Sequence, residues 1–153
     1  MPPPAPVIAL SLKPANCSWS VLSFPSTLYT QPVLEVLTAK VPAPWRAEVR
    51  LGLQEAIINA VRHGNRLDPN KRVIVEYASS ECLYQWLVRD QGSGFRPQQE
   101  LQRCRCGLLE TEESGRGMLL LTQIFDLVEW NETGNQVYLA KYIYPGCRDP
   151  WIV

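Results

Sequence analysis

The sequence predicts an α/β (α+β) two-layer sandwich in which a mixed, largely antiparallel sheet carries helices on one face. Two observations lead to this prediction. Apolar patterns follow the order strand, two helices, two strands, helix and two strands, and two strand pairs are joined by connections short enough for hairpins. Helices that fall between hairpins pack against one side of such a sheet. With 153 residues, the chain is long enough to form one domain with its own core.

Composition and charge argue against several classes of function. Lys plus Arg and Asp plus Glu each number 15, so the net charge is zero. This balance gives no electrostatic reason to expect direct binding to nucleic acid or to an anionic membrane. No apolar run has the length of a membrane span, and the Pro-rich start lacks the pattern of a secretory signal. We therefore expect a cytoplasmic protein.

The cysteines number five, an odd count without a Cys-x-x-Cys pair. In a cytoplasmic protein we expect them to be reduced thiols. Cys104 and Cys106 are separated by one residue, but a structural zinc site needs further soft ligands, and His63 is the only histidine. A metal role for this pair is therefore disfavoured, and a redox role stays open.

The elements of the N-terminal part are predicted from apolar runs and from the prolines and polar residues that bound them. Residues 1–17 are rich in proline and are predicted to form a disordered arm, followed by a domain over residues 18–145 and a tail over residues 146–153. Trp19 to Phe24 is predicted to be a strand. Ser26 is expected to cap the helix that follows, with Pro32 inside it or at a break.

A long helix is predicted from Trp45 to the Gly64-Asn65 pair that ends it. Its buried stripe contains apolar residues at helical spacing, namely Val49, Leu53, Ala56, Ile57 and Ala60. A flank beside this stripe carries Glu48, Gly52, Glu55, Asn59 and His63. Glu55 and Asn59 are four positions apart and therefore share one face of the helix.

The second half of the chain is predicted to contain two hairpins around a long loop. The strands are Arg72–Ala78 with Cys82–Arg89, and Leu127–Trp130 with Gln136–Tyr144. Asp90 ends the second strand, and Gly92 and Gly94 open a loop of about twenty residues that runs to Ser114, a length typical of a functional lid. Gly115-Arg116-Gly117 is expected to start a helix over residues 118–125.

Three stretches of the sequence could together hold a nucleoside triphosphate. Asn59 offers an amide oxygen to Mg²⁺, which prefers oxygen ligands and retains several waters. Glu55, one turn earlier, could act as a general base on a hydroxyl or a water. Asp90 could accept a hydrogen bond from an exocyclic amine, which selects adenine over guanine.

The glycines complete this hypothetical site. Gly92 and Gly94 let the backbone approach a flat base. Gly115 to Gly117 would offer free N–H groups to phosphates at a helix start. Arg116, or Arg103 and Arg105 in the loop, could offset negative charge. Each feature alone is common in surface pairs and turns, but their order in one chain is much more specific.

The motifs Glu55-x-x-x-Asn59, Asp90-x-Gly92-x-Gly94 and Gly115-x-Gly117 resemble the N, G1 and G2 boxes of the GHKL ATPases. Within that superfamily, Asn-Ala-Val-Arg-His-Gly and Gly-Arg-Gly-Met-Leu-Leu-Leu are similar to the bacterial anti-sigma-factor serine/threonine kinases. The similarity covers about residues 19–144. The resemblance implies an α/β sandwich that binds ATP beneath a mobile lid.

The resemblance also implies a role for each matching residue. Glu55 would be the catalytic base, Asn59 the Mg²⁺ ligand and Asp90 the adenine contact. Gly92, Gly94, Gly115, Arg116 and Gly117 would shape the nucleotide pocket, and a lid over residues 100–114 would close on the phosphates. The implied partners are a sigma factor and a small antagonist protein that receives phosphate on Ser or Thr, with a homodimer as the assembly.

Two features depart from the family pattern. The family commonly carries a small hydroxyl residue before the last strand, where this chain has Asn135 and Gln136. The lid also contains Cys104 and Cys106. These departures keep a second hypothesis open, in which the domain binds a regulatory protein without catalysis and ATP is a conformational ligand or plays no part.

Overall fold

The computed structural model describes residues 17–94 and 113–152. The elements in chain order are β1 (Ser20–Pro25), α1 (Gln31–Thr38), α2 (Ala43–Asn59), a π-helical turn (Ala60–Gly64), β2 (Arg72–Ser79), β3 (Leu83–Arg89), α3 (Glu113–Ile124), β4 (Leu127–Trp130) and β5 (Gln136–Tyr142). The predicted arm lies outside the described residues except for Cys17. Most of the predicted lid, with Cys104 and Cys106, lies outside them as well.

The five described strands form one sheet in the order β1-β2-β3-β5-β4. Every pairing is antiparallel, and both predicted hairpins are present. The register places Val75 opposite Val88 and Trp86 opposite Leu139, so these apolar side chains point to the same face. The third helix begins at Glu113, five residues before the predicted start.

The helices cover one face of the sheet, as predicted. The stripe residues Val49, Leu53 and Ile57 of α2 are fully buried in the same core as the inward face of the strands. The rings of Trp86 on β3 and Phe125 after α3 meet edge to face at 5.8 Å. The α/β sandwich is therefore confirmed. Within the described part of the chain, no helix combines the length and apolar character needed to cross a membrane.

The start of α1 differs from the prediction. The helix begins at Gln31, with Pro32 in its first turn. Backbone N–H groups in the first turn have no partner inside the helix, so the missing N–H of proline costs no hydrogen bond there. Ser26 does not cap it. The Ser26 hydroxyl instead donates to the carbonyl of Lys71, 2.9 Å away, and so ties the end of β1 to the start of β2.

The flank predicted for α2 is in part a core surface. Glu48 is fully buried, because its carboxylate accepts hydrogen bonds from the guanidinium of Arg148 and from the backbone N–H of Trp151. The guanidinium itself lies between the rings of Trp45 and Trp151, at 4.9 and 3.9 Å. The C-terminal residues thus pack on the first half of α2. Gly52 is also buried, against Phe125.

Candidate nucleotide-binding site

Glu55 and Asn59 lie one turn apart in the second half of α2, and both side chains are partly buried. The first turns of α3 pass directly over them. A Cβ atom at Gly117 would lie 2.7 Å from Oε2 of Glu55 and 3.6 Å from Nδ2 of Asn59. The structure therefore brings these two predicted residues together with Gly117, and a side chain at position 117 would displace the Glu55 carboxylate.

A pocket opens between the end of α2, the end of β3 and the turn that precedes β5. Its apolar floor contains Ala56, Val88 and Leu121, and Trp130 adds an aromatic side chain. Polar groups surround this floor, namely Asn59, Asp90, Asn135 and Gln136. An apolar slot bounded by a few polar groups is the usual form of a small-molecule site.

Asp90 lies at the base of this pocket, directly after β3. Its carboxylate accepts a hydrogen bond from the N–H of Gly92 at 2.8 Å and contacts Gly64, where a methyl group would collide with it. Burial raises the pKa of the Asp90 carboxyl above its ordinary value of 3.8, and the Gly92 N–H and the charge of Lys71 counteract this shift. A half-buried carboxylate of this kind suits hydrogen bonding to an amine.

The glycines after Asp90 are required by close backbone contacts. Gly94 has a φ of +84° and lies against the carbonyl of Thr133, so a side chain there would be both strained and obstructed. Gly92 lies against the carbonyl of Gly64. The loop that was predicted from its glycines is thus held between the end of α2 and the turn before β5.

Gly115, Arg116 and Gly117 lie inside α3 and do not precede it, because the helix begins at Glu113. The first four N–H groups of a helix, counted from its N-cap, lack a partner inside it, so Gly115 still lies among them, whereas Gly117 is the fifth residue of α3 and lies in its second turn. Arg116 is exposed. Phosphate contacts from free N–H groups would therefore come from the start of α3 up to Gly115, while Gly117 lies next to Glu55.

The turn before β5 is organised by Asn131. Its Oδ1 accepts hydrogen bonds from the N–H groups of Gly134, Asn135 and Gln136 at 2.9 to 3.1 Å. Asn135, which with Gln136 precedes or begins the last strand, accepts from the N–H of Asp90 through its backbone carbonyl at 3.0 Å. This turn therefore supports Asp90 through the backbone.

Three residues of the site were missed by sequence reasoning. Gly64 and Asn65 were interpreted only as the end of a helix, yet both contact the loop that contains Asp90. Trp130 was interpreted only as the end of a strand, and it lines the pocket. Of the three, only Gly64 had a signal in the sequence, because it ends the Asn-Ala-Val-Arg-His-Gly stretch that begins at Asn59.

Among residues 17–94 and 113–152, no three His, Cys, Asp or Glu side chains are placed to hold a metal ion together. A cation at Asn59 would therefore be of the kind that takes few protein ligands and completes its shell with water and phosphate oxygens, as Mg²⁺ does. An amide oxygen and a nearby carboxylate fit that chemistry.

Comparison with known proteins matches residues 30–141 to the family described as "Histidine kinase-like ATPase domain". The chain is similar to an anti-sigma F factor of Bacillus cytotoxicus, with 29% identity over 139 residues that span 88% of each chain. It is also similar to an anti-sigma F factor of Geobacillus thermodenitrificans, with 33% identity over 104 residues, 63% of this chain and 68% of the relative. The family match contains Glu55, Asn59, Asp90 and Gly117.

Proposed function

The chain belongs to the histidine kinase-like ATPase, or GHKL, family, and we propose that it is an anti-sigma-factor-type protein that binds Mg-ATP and phosphorylates Ser or Thr of a small antagonist protein. The observation that carries the proposal is the contact of Gly117 with Glu55 and Asn59. At this contact a carboxylate, an amide and the second turn of α3 meet, and Asn59 lines the same pocket as Asp90.

The proposed chemistry assigns a task to each side chain. Glu55 accepts the proton of the substrate hydroxyl as its oxygen forms a bond to the γ-phosphorus and the bond to the β-phosphate oxygen breaks. Asn59 would hold Mg²⁺, and the bound ion would supply positive charge against the phosphates. Asp90 accepts a hydrogen bond from the adenine amine, and the glycines, with Arg116, receive the phosphates.

Its partners are proposed from the relatives. The matched proteins are named anti-sigma F factors, and we infer that this chain likewise binds a sigma factor and has a small antagonist protein as its phosphate acceptor. A cytoplasmic location and a homodimer accompany this inference.

The experiment is transfer of labelled γ-phosphate from ATP to a candidate antagonist encoded near the gene for this chain. Wild type is compared with Glu55→Ala, and Gln54→Ala serves as a control on the neighbouring position of the same helix. Loss of a general base typically lowers the rate about 10²- to 10⁴-fold. Equal transfer by wild type and Glu55→Ala would remove Glu55 from the mechanism.

A second candidate function is a binding module without catalysis. The replacement of the hydroxyl residue by Asn135 favours it, because that side chain is engaged by Asn131 at 2.7 Å and approaches Gly92 only at 3.5 Å. Calorimetry with Mg-ATP and Mg-ADP separates the two candidates. No nucleotide binding at millimolar concentration would remove the kinase and leave the binding module.

A further inference from the structure

We propose that Asn65 is a positioning residue that fixes Asp90 and thereby the preference of the pocket for an exocyclic amine. The inference deepens the proposed function, since it rests on the pocket being a nucleotide site. Asn65 belongs to none of the motifs described above. It follows the π-helical turn at the end of α2 and is fully buried.

The side chain of Asn65 joins three separate segments. Its Nδ2 donates to Oγ of Ser26 at 2.9 Å and to the carbonyl of Arg72 at 3.0 Å. Its Oδ1 accepts from the N–H of Gln91 at 2.7 Å. The end of β1, the start of β2 and the loop after Asp90 therefore meet on one amide group.

The π-helical turn is what brings Asn65 into this position. The backbone N–H of Asn65 donates to the carbonyl of Ala60, five residues earlier, at 2.8 Å, so the last turn is wider than an α-helical turn. Arg66 and Leu67 follow with φ values of 52° and 59°. Non-glycine residues hold such values only where surrounding contacts fix the backbone, and the buried amide of Asn65 supplies contacts of that kind.

Asn65 acts on Asp90 from two sides. Gln91 is the next residue in the chain, so the hydrogen bond on its N–H limits the movement of the Asp90 backbone. Gly64, the neighbour of Asn65, lies in contact with the Asp90 carboxylate itself. Gln91 is also bound to the start of β2, because its Oε1 accepts from the N–H of Arg72 at 2.7 Å. A shift of Asn65 would thus move the carboxylate that faces the ligand.

The chemistry of the site favours asparagine over similar residues. Two of its contacts need donors and one needs an acceptor, and a carboxamide supplies both from one planar group. Alanine would leave the Gln91 N–H and the Arg72 carbonyl without this partner in a partly buried place. Aspartate keeps the acceptor for Gln91 but turns an oxygen towards the carbonyl of Arg72.

The test compares ATP with inosine triphosphate, which carries a carbonyl oxygen in place of the exocyclic amine. Calorimetry measures both dissociation constants for wild type, Asn65→Ala, Asn65→Asp and the control Ser26→Ala. The control loses one partner of Asn65 but leaves its bond to Gln91. If Asn65→Ala does not fold, Asn65→Ser, whose polar group is one bond shorter, replaces it.

We expect wild type to prefer ATP at least about tenfold, the value of a hydrogen bond to a charged group. Asn65→Ala is expected to lose most of that ratio, whereas Asn65→Asp and Ser26→Ala keep it within about threefold. A general loss of folded protein would weaken both nucleotides equally. A ratio unchanged in Asn65→Ala would therefore overturn the proposal.

Amide hydrogen exchange at Gln91 provides a readout that does not depend on nucleotide. Asn65→Ala should exchange this amide at least about tenfold faster than wild type, and Ser26→Ala should not. If wild type binds no nucleotide, the proposed function fails and the exchange rate alone decides whether Asn65 holds the loop. Unchanged exchange at Gln91 in Asn65→Ala would refute that hold.

Discussion

Removal of the Arg148 guanidinium is expected to destabilise the protein far more than removal of a surface arginine. Glu48 is 0% exposed, and in Arg148→Ala its carboxylate would keep the N–H of Trp151, at 2.9 Å, and the nearby charge of Lys141. Breaking a buried ion pair in this way costs about 3–5 kcal/mol. The Arg148 side chain is 33% exposed, so water can replace part of the contact, and we expect the low end of that range.

A loss of about 3 kcal/mol lowers the melting temperature by about 6 to 12 °C in a domain of this size. Thermal and urea denaturation followed by circular dichroism measure the loss. Arg46→Ala is the matched control, because Arg46 is exposed on α2, the helix of Glu48, and donates to the carbonyl of Val41 at 3.1 Å. This variant should cost less than about 1 kcal/mol.

A second variant separates charge from packing. Glu48→Gln removes the carboxylate charge, so adding it to Arg148→Ala should recover part of the lost stability. The reasoning is refuted if Arg148→Ala is no less stable than Arg46→Ala, or if Glu48→Gln makes the Arg148→Ala variant worse.

Three further predictions concern the helix contacts and the pocket. Gly117→Ala places a Cβ atom 2.7 Å from Oε2 of Glu55. Because the flexible carboxylate can move aside, denaturation should show little loss of stability, while phosphotransfer falls about 10²-fold. Unchanged phosphotransfer would contradict the role assigned to Glu55. Gly52→Ala places its Cβ atom 2.5 Å from Cε2 of Phe125. Urea denaturation should show a net loss of about 1–2 kcal/mol in the free energy of unfolding, after the gain in helix propensity. Equal or greater stability would mean that α2 and α3 separate without cost. Burial raises the pKa of Asp90, so its carboxylate takes up a proton at a higher pH than an ordinary aspartate. ATP affinity measured by calorimetry should therefore weaken on acidification before pH 3.8, the ordinary pKa, is reached. Affinity that stays constant down to that pH would disprove this dependence.

The sequence predicted those parts of the fold that depend on neighbouring residues. The β2–β3 and β4–β5 hairpins join strands that are adjacent in the chain, and alternating apolar residues define their inward faces. The stripe of Val49, Leu53 and Ile57 likewise reflects the period of a single helix. The predictions of these elements, and of the sandwich that they form, are confirmed.

The features that the sequence did not reveal depend on residues distant in sequence. Glu48 occupies a polar position on a helical flank, and its burial follows from Arg148, which is 100 residues away. Ser26 has the character of a helix cap, but its partners are Lys71 and Asn65, 45 and 39 residues away. A local pattern contains no information about such partners, so it could not reveal that these polar groups are satisfied inside the protein.

The candidate site shows the same division. Glu55, Asn59 and the glycines were found because each motif is local and the order of the motifs is specific. Their approach to one another was inferred from what a nucleoside triphosphate site needs and then from a family resemblance, and the contact at Gly117 is consistent with it. Asn65 was missed because its function, as proposed here, depends on three segments that only the fold brings together.

The central claim is that Asp90 and the end of α2 form a nucleotide site. Calorimetric titration of wild type and Asp90→Asn with Mg-ATP tests it most directly, because a carboxamide has nearly the size of the carboxylate but can turn a donor towards the amine. We predict binding by wild type and an affinity at least about tenfold weaker in Asp90→Asn. Equal affinity of the two proteins, or no binding by wild type at millimolar ATP, would contradict the claim.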